Sequence, residues 1–76
     1  MNKKRRCLLK TAKPLLDQAA SIIELAMEQE SDCVDNMPES LQDSEQYEKM
    51  ELAIDNLQAA LEHIESTKDC IDEAVV

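Results

Sequence analysis

The most regular feature of this chain is a repeat of apolar residues in its second half. From Tyr47 onward, apolar positions recur in alternating steps of three and four, and only Lys68 is polar. This heptad spacing predicts one long amphipathic helix, over about residues 44–75, that packs along a single seam. The predicted seam comprises Tyr47, Met50, Ile54, Leu57, Leu61, Ile64, Lys68, Ile71 and Val75.

When the second helix is projected down its axis, the residues outside the seam separate into an acidic stripe and a nearly uncharged arc. The acidic stripe is interrupted only by Gln58 and consists of Glu48, Glu51, Asp55, Glu62, Glu65, Asp69 and Asp72. The uncharged arc includes Leu52, Ala59 and His63. Because a helix that buries one seam normally carries charge on its remaining surface, this arc predicts a further contact.

The first half of the chain has a less regular helical pattern. Its predicted seam is Ala12, Leu15, Ala19, Ile22, Ala26 and Cys33, broadened by Leu16, Ile23, Met27 and Val34 on one side and by Leu25 on the other. Pro14 suits the first turn of a helix but would cost about 3 kcal/mol in a helix interior. The predicted helix therefore spans about 14–36. Residues 1–13 are predicted to be a basic, partly helical segment ahead of it.

The two predicted helices are separated by a turn over residues 36–43. Pro38 disfavours helical conformation at Met37, which ends the first helix, and Ser44 or Asp43 can cap the second by accepting from its unpaired amides. The two apolar residues of the turn should pack on the end of the helix pair. The predicted turn residues are Asn36, Met37, Pro38, Leu41 and Ser44.

Charge and composition define how the two helices meet. The 76 residues include no Gly, Phe or Trp, and they carry 17 acidic against 8 basic side chains. Six of the basic residues lie in the first 13 positions, where there is no acidic residue. A short connection makes the helices antiparallel neighbours, which brings this basic segment beside the acidic end of the second helix. The predicted fold class is all-α: an antiparallel two-helix hairpin that forms a four-helix bundle by homodimerisation.

The sequence lacks the residue patterns of an enzyme, a cofactor site or a metal site. A bundle metal centre would need Glu-x-x-His pairs, and Ala60 stands three residues before the only histidine, His63. Cys7, Cys33 and Cys70 have no zinc-ligand spacing, although the hairpin could bring the first and last of them together. No membrane-spanning run exists, and the odd number of cysteines suggests reduced thiols and a cytoplasmic location.

These patterns predict a non-enzymatic protein that acts through self-association and contacts with an unknown protein. The residues predicted to carry self-association are Leu25, Leu52, Ala59, Leu57, Leu61 and Ile64. An alternative is that the acidic stripe imitates DNA phosphates. Nucleic-acid binding by the basic segment is a third hypothesis, but the absence of aromatic stacking residues and the net charge of −9 argue against it.

The central segment DNMPESLQDSEQYEKMELAIDNLQAAL, within about residues 33–61, resembles a pattern in small uncharacterised proteins of Firmicutes bacteria and their phages or mobile elements. The resemblance implies a helical hairpin in a bacterial or phage-infected cytoplasm, and it implies no known activity. An arginine often follows Ser-Glu in that pattern, whereas this chain has Gln46. In that setting, the acidic-stripe alternative becomes an inhibitor that blocks a basic site on a host defence or regulatory protein.

Overall fold

The computed structural model describes all residues 1–76 and contains two long helices. Helix α1 spans Lys3–Asp35, a short 3-10 helix spans Glu39–Leu41, and helix α2 spans Glu45–Ala74. The chain contains no strand, and the two long helices pack against each other. This confirms the predicted all-α class and the helical hairpin.

Two ion pairs between the helices define their antiparallel register. Lys13 pairs with Asp72, and Lys68 pairs with Asp17. The residue numbers of each pair add up to 85, so residue n of α1 lies level with residue 85 − n of α2. The resulting hairpin measures 59 × 15 × 12 Å between Cα atoms, and none of its residues is fully buried.

The seam predicted for α2 is the one that packs against α1. All nine of its members are half-buried, including Lys68. Small side chains at Ala53 and Ala60, which are also half-buried, lie beside it. A single strong heptad pattern therefore sufficed to orient this helix.

The seam predicted for α1 is wrong for four of its six residues, because the helix packs mainly through the neighbouring row; only Ala12 and Ala19 are half-buried. Leu15 and Ile22 are 63% and 70% exposed, and Ala26 and Cys33 are exposed as well. The large apolar residues that face α2 lie in the adjacent row. Four of them were predicted to flank the seam and the fifth, Leu9, lies before Pro14: Leu9, Leu16, Ile23, Met27 and Val34. These side chains offer α2 more apolar volume than the predicted row, half of which is alanine, and burial of apolar area stabilises in proportion.

Helix α1 also begins earlier than the predicted start near Pro14. It starts at Lys3, is capped by the side chain of Asn2, which accepts from the Arg5 amide at 2.9 Å, and continues through Pro14. Residues 3–13 remain helical because this part of α1 packs on the far end of α2: Leu9, Ala12 and Lys13 are half-buried there. Tertiary contacts thus outweigh the local penalty of the proline.

The turn follows the sequence prediction closely. Helix α1 ends at Asp35, and Ser44 caps α2 through its Oγ, which accepts from the Tyr47 amide at 3.2 Å. The Leu41 amide donates to the Pro38 carbonyl and the Ser44 amide to the Leu41 carbonyl, so the reversal closes with ordinary turn hydrogen bonds. No residue has a positive φ, which explains how a chain without glycine makes this turn. Met37 packs half-buried at the end of the hairpin as predicted, whereas the predicted packing of Leu41 is wrong, because its side chain is 50% exposed.

Candidate interaction surfaces

Lysines at two seam positions link the helices by charge. The Lys68 Nζ lies 2.7 Å from Asp17 Oδ1 and 3.4 Å from Glu65 Oε2, and the Lys13 Nζ donates to Asp72 Oδ1. The hydrogen bond to Asp17 raises the pKa of Lys68 above 10.5, against a partial opposing effect of desolvation. A raised lysine pKa contributes stability that is present below pH 10.5 and is lost as the pH rises through the folded-state value.

The acidic stripe lies on one side of the hairpin, and all seven of its residues are exposed. Only Glu65 and Asp72 of the stripe are paired with a lysine. A shallow open depression lies on the same side, with an apolar floor and an acidic rim. Its lining residues are Ala20, Glu24, Met27, Gln58, Leu61, Glu62, Ile64 and Glu65. This side of the molecule can therefore offer carboxylates, but most of them are solvated on a convex helix face.

The opposite side of the hairpin is apolar. Leu8, Leu15 and Ile22 follow one another at intervals of seven residues along α1 and are 63%, 63% and 70% exposed. Alanines alternate with them along the helix. We call this row the outer seam and define it as Leu8, Ala12, Leu15, Ala19, Ile22 and Ala26. It borders the small residues Ala53 and Ala60 of α2, so the whole side is low in charge.

The residues predicted for self-association lie in two different environments. Leu57, Leu61 and Ile64 are half-buried between α1 and α2, whereas Leu25 and Leu52 are 56% and 59% exposed. Ala59, in the uncharged arc of α2, is half-buried. We call the rows through which the two helices pack on each other the inner seam: the nine-residue seam of α2 and Leu9, Leu16, Ile23, Met27 and Val34 of α1. Leu25 and Leu52 each occupy the heptad position opposite the inner seam, so they extend from opposite edges of the hairpin.

Sequence reasoning did not single out Leu8 as part of an interaction surface. The signal was available in the spacing of Leu8, Leu15 and Ile22, which repeats every seven residues. It was missed because Pro14 was expected to separate Leu8 from the first helix. The continuity of α1 through Pro14 places all three residues on one face.

The cysteines and the histidine form no site. Cys7, Cys33 and Cys70 are all exposed and free, and no group of His, Cys, Asp and Glu side chains is arranged to hold a metal ion. In the observed register Cys70 is level with position 15 of α1, about 12 Å along the axis from Cys7. This separation exceeds the roughly 7 Å between Cα atoms that a disulfide can span, so the expected proximity of Cys7 and Cys70 is wrong.

Comparison with protein-family models, with curated proteins and with solved structures gives no significant match to this chain. The resemblance of the turn to a bacterial and phage pattern therefore stays a prediction. Neither α1 nor α2 contains a stretch apolar enough to span a bilayer.

Proposed function

We propose that this protein is a self-associating helical module, a homodimer in which two hairpins form a four-helix bundle that presents its acidic stripe to other proteins. Association buries the apolar side of each hairpin, and the acidic stripe stays in water. The turn and the stripe are then the surfaces open to a partner. No step of this activity requires catalysis or a cofactor.

The observation that supports self-association is the excess of exposed surface. A folded monomer of 8.6 kDa is expected to expose about 4,700 Å², whereas the hairpin exposes 5808 Å². The excess of about 1,100 Å² is similar to the roughly 800 Å² that each partner buries in a stable complex. Four large aliphatic residues, Leu8, Leu15, Ile22 and Leu25, contribute to that surface on α1 alone.

The mass of the protein in solution tests this proposal. Light scattering across a dilution series, at low and high salt, should give a dimer of twice the 8.6 kDa chain mass. A folded species with the mass of one chain at every concentration would contradict the proposal.

A second candidate function is supported by the lack of ion-pair partners along part of the acidic stripe. Glu48, Asp55, Glu62 and Asp69 have no lysine or arginine within ion-pair distance, so their charge is available to a basic surface. In this function the hairpin inhibits a basic host protein by imitating DNA phosphates.

Changing these four residues to their amides separates the two functions. Binding of such an inhibitor to a basic partner should be lost, and added salt should weaken it in the unaltered protein. Self-association should persist or strengthen, because the change removes like charges. A change of Glu65 and Asp72 to their amides serves as the control for stability, since these residues do have lysine partners. Partner binding that survives the four-amide change would contradict mimicry.

A further inference from the structure

The outer seam of α1 has the pattern of a helix interface, yet its large residues Leu8, Leu15 and Ile22 are exposed in the hairpin, and only Ala12 and Ala19 are half-buried beside α2. Its positions 8, 12, 15, 19, 22 and 26 follow the alternating steps of four and three that keep a row of residues on one face. Large and small residues alternate along it without exception. The inner seam is already occupied by α2, so α1 carries two adjacent heptad rows of which only one is used.

The alternation makes this row complementary to itself when two copies run antiparallel. If residue n of one α1 lies level with residue 34 − n of a second α1, Leu8 meets Ala26, Leu15 meets Ala19, and Ile22 meets Ala12. Every large side chain then faces a small one, and the two-fold axis repeats each pair. Because alanines let helix axes approach closely, leucine and isoleucine can pack across the contact without overcrowding.

The same register brings opposite charges together. Residues 1–13 hold six basic side chains and no acidic one, whereas residues 28–48 hold eight acidic side chains and no basic one. With n level with 34 − n, the cluster Lys3–Arg6 lies level with residues 28–31 of the second copy. Glu28 is in that stretch and exposed, whereas Glu30 is half-buried in the row that faces α2. A parallel arrangement would instead place both acidic turn ends side by side, which like-charge repulsion disfavours.

The ends of α1 carry charges that its own dipole disfavours. Its first turn contains no acidic residue and begins with basic ones, and its last turn contains no basic residue and ends with Asp35. Helix dipoles favour the reverse distribution at both ends, by about 0.3–1 kcal/mol per charge at exposed sites. A second α1 in antiparallel orientation supplies acidic groups at the basic end and basic groups at the acidic end.

We propose that the outer seam of α1 is the dimer contact, and that two hairpins stack with α1 on α1 in antiparallel orientation, residue n level with residue 34 − n. This inference rests on the proposed self-association and specifies its surface, orientation and register. The turns lie at opposite ends of the bundle. Leu52, on the far edge of each hairpin, stays outside the contact.

Exchanging a large residue for its small partner tests the register. Leu8→Ala should weaken dimerisation about tenfold or more by removing apolar contact, and Ala26→Leu should do the same by placing two leucines against each other. The double variant Leu8→Ala/Ala26→Leu restores a large residue opposite a small one, and its dissociation constant should return to within about threefold of the unaltered protein. Both positions are exposed in the hairpin, so neither change disturbs the packing of α1 on α2, and helicity should not change at protein concentrations where the dimer is formed. Leu52→Ala is the control and should leave the dissociation constant unchanged.

The orientation is tested by the distance between spin labels attached to the two copies. With Cys7, Cys33 and Cys70 replaced by serine, a label at Asn56→Cys is level with position 29 of α1. The antiparallel stack then separates the two labels by about 36 Å along the axis, whereas a parallel bundle keeps them within about 20 Å.

The outcomes distinguish failure of this inference from failure of the proposed function. A chain that is monomeric without any substitution contradicts both. A dimer whose labels lie within 20 Å, or one that Leu8→Ala does not weaken, contradicts only the proposed contact. A dimer that is lost on Leu52→Ala also overturns the contact, since it places the interface on the outward arc of α2. Recovery by the double variant together with the long label distance supports it.

Discussion

Leu61→Asp is expected to unfold the hairpin. Leu61 is half-buried in the inner seam and is level with Glu24 of α1. The change removes apolar contact and places a charge where Glu62 and Glu65 already repel it. Truncating a fully buried large side chain lowers the free energy of unfolding by about 2–5 kcal/mol. The loss is smaller for a half-buried residue, but the added charge increases it again. A loss of about 3 kcal/mol is comparable to the whole stability, about 3–5 kcal/mol, that so small a core supplies.

Circular dichroism at 222 nm during heating measures this effect. The variant should lose most of its helical signal at 25 °C, whereas Ser66→Asp, which adds the same charge at an exposed position about six turns from the Ser44 cap, should melt like the unaltered protein. A folded Leu61→Asp variant with an unchanged melting temperature would refute the assignment of the inner seam.

Pro14→Ala is expected to stabilise the protein by about 2 kcal/mol. Proline inside a helix removes one backbone hydrogen bond and crowds the preceding turn, at about 3 kcal/mol, and alanine restores both. The greater freedom of alanine in the unfolded chain reduces the gain by about 0.4–1 kcal/mol. For a domain of this size, the gain corresponds to a rise in melting temperature of roughly 10 °C.

Pro38→Ala is the matched control for this change. Pro38 precedes the 3-10 helix with φ −59° and ψ 145°, a conformation that proline favours, so its replacement should not stabilise the protein. If Pro14→Ala melted at the same temperature as the unaltered chain, residues 3–13 would not be a continuous part of α1.

The two helices differ in how far their sequences predicted them. Helix α2 carries one strong heptad row, so its seam, its cap at Ser44 and its limits near 44–75 were predicted and agree with the structure. The turn was also predictable, because Pro38 restricts the backbone of the preceding residue and Ser44 caps the helix that follows it. These are features that depend on neighbours in sequence.

Helix α1 was harder to predict because its orientation depends on tertiary contacts. Two adjacent heptad rows run along it, and periodicity alone does not say which one α2 takes. The row through Leu16 and Ile23 prevails because its side chains fill more space against α2, which leaves Leu15 and Ile22 exposed. The low helix propensity of proline likewise predicted that the helix begins at Pro14, but packing on α2 keeps the residues before it helical.

We propose that this hairpin, which has no fully buried residue, is stabilised by a second copy. The concentration dependence of thermal unfolding tests it most directly, because a protein whose folded state is a dimer becomes more stable as its concentration rises. Across a 100-fold range of concentration, we expect the melting temperature to increase by several degrees. A melting temperature that is the same at every concentration, in a protein that unfolds cooperatively and reversibly, would contradict the account.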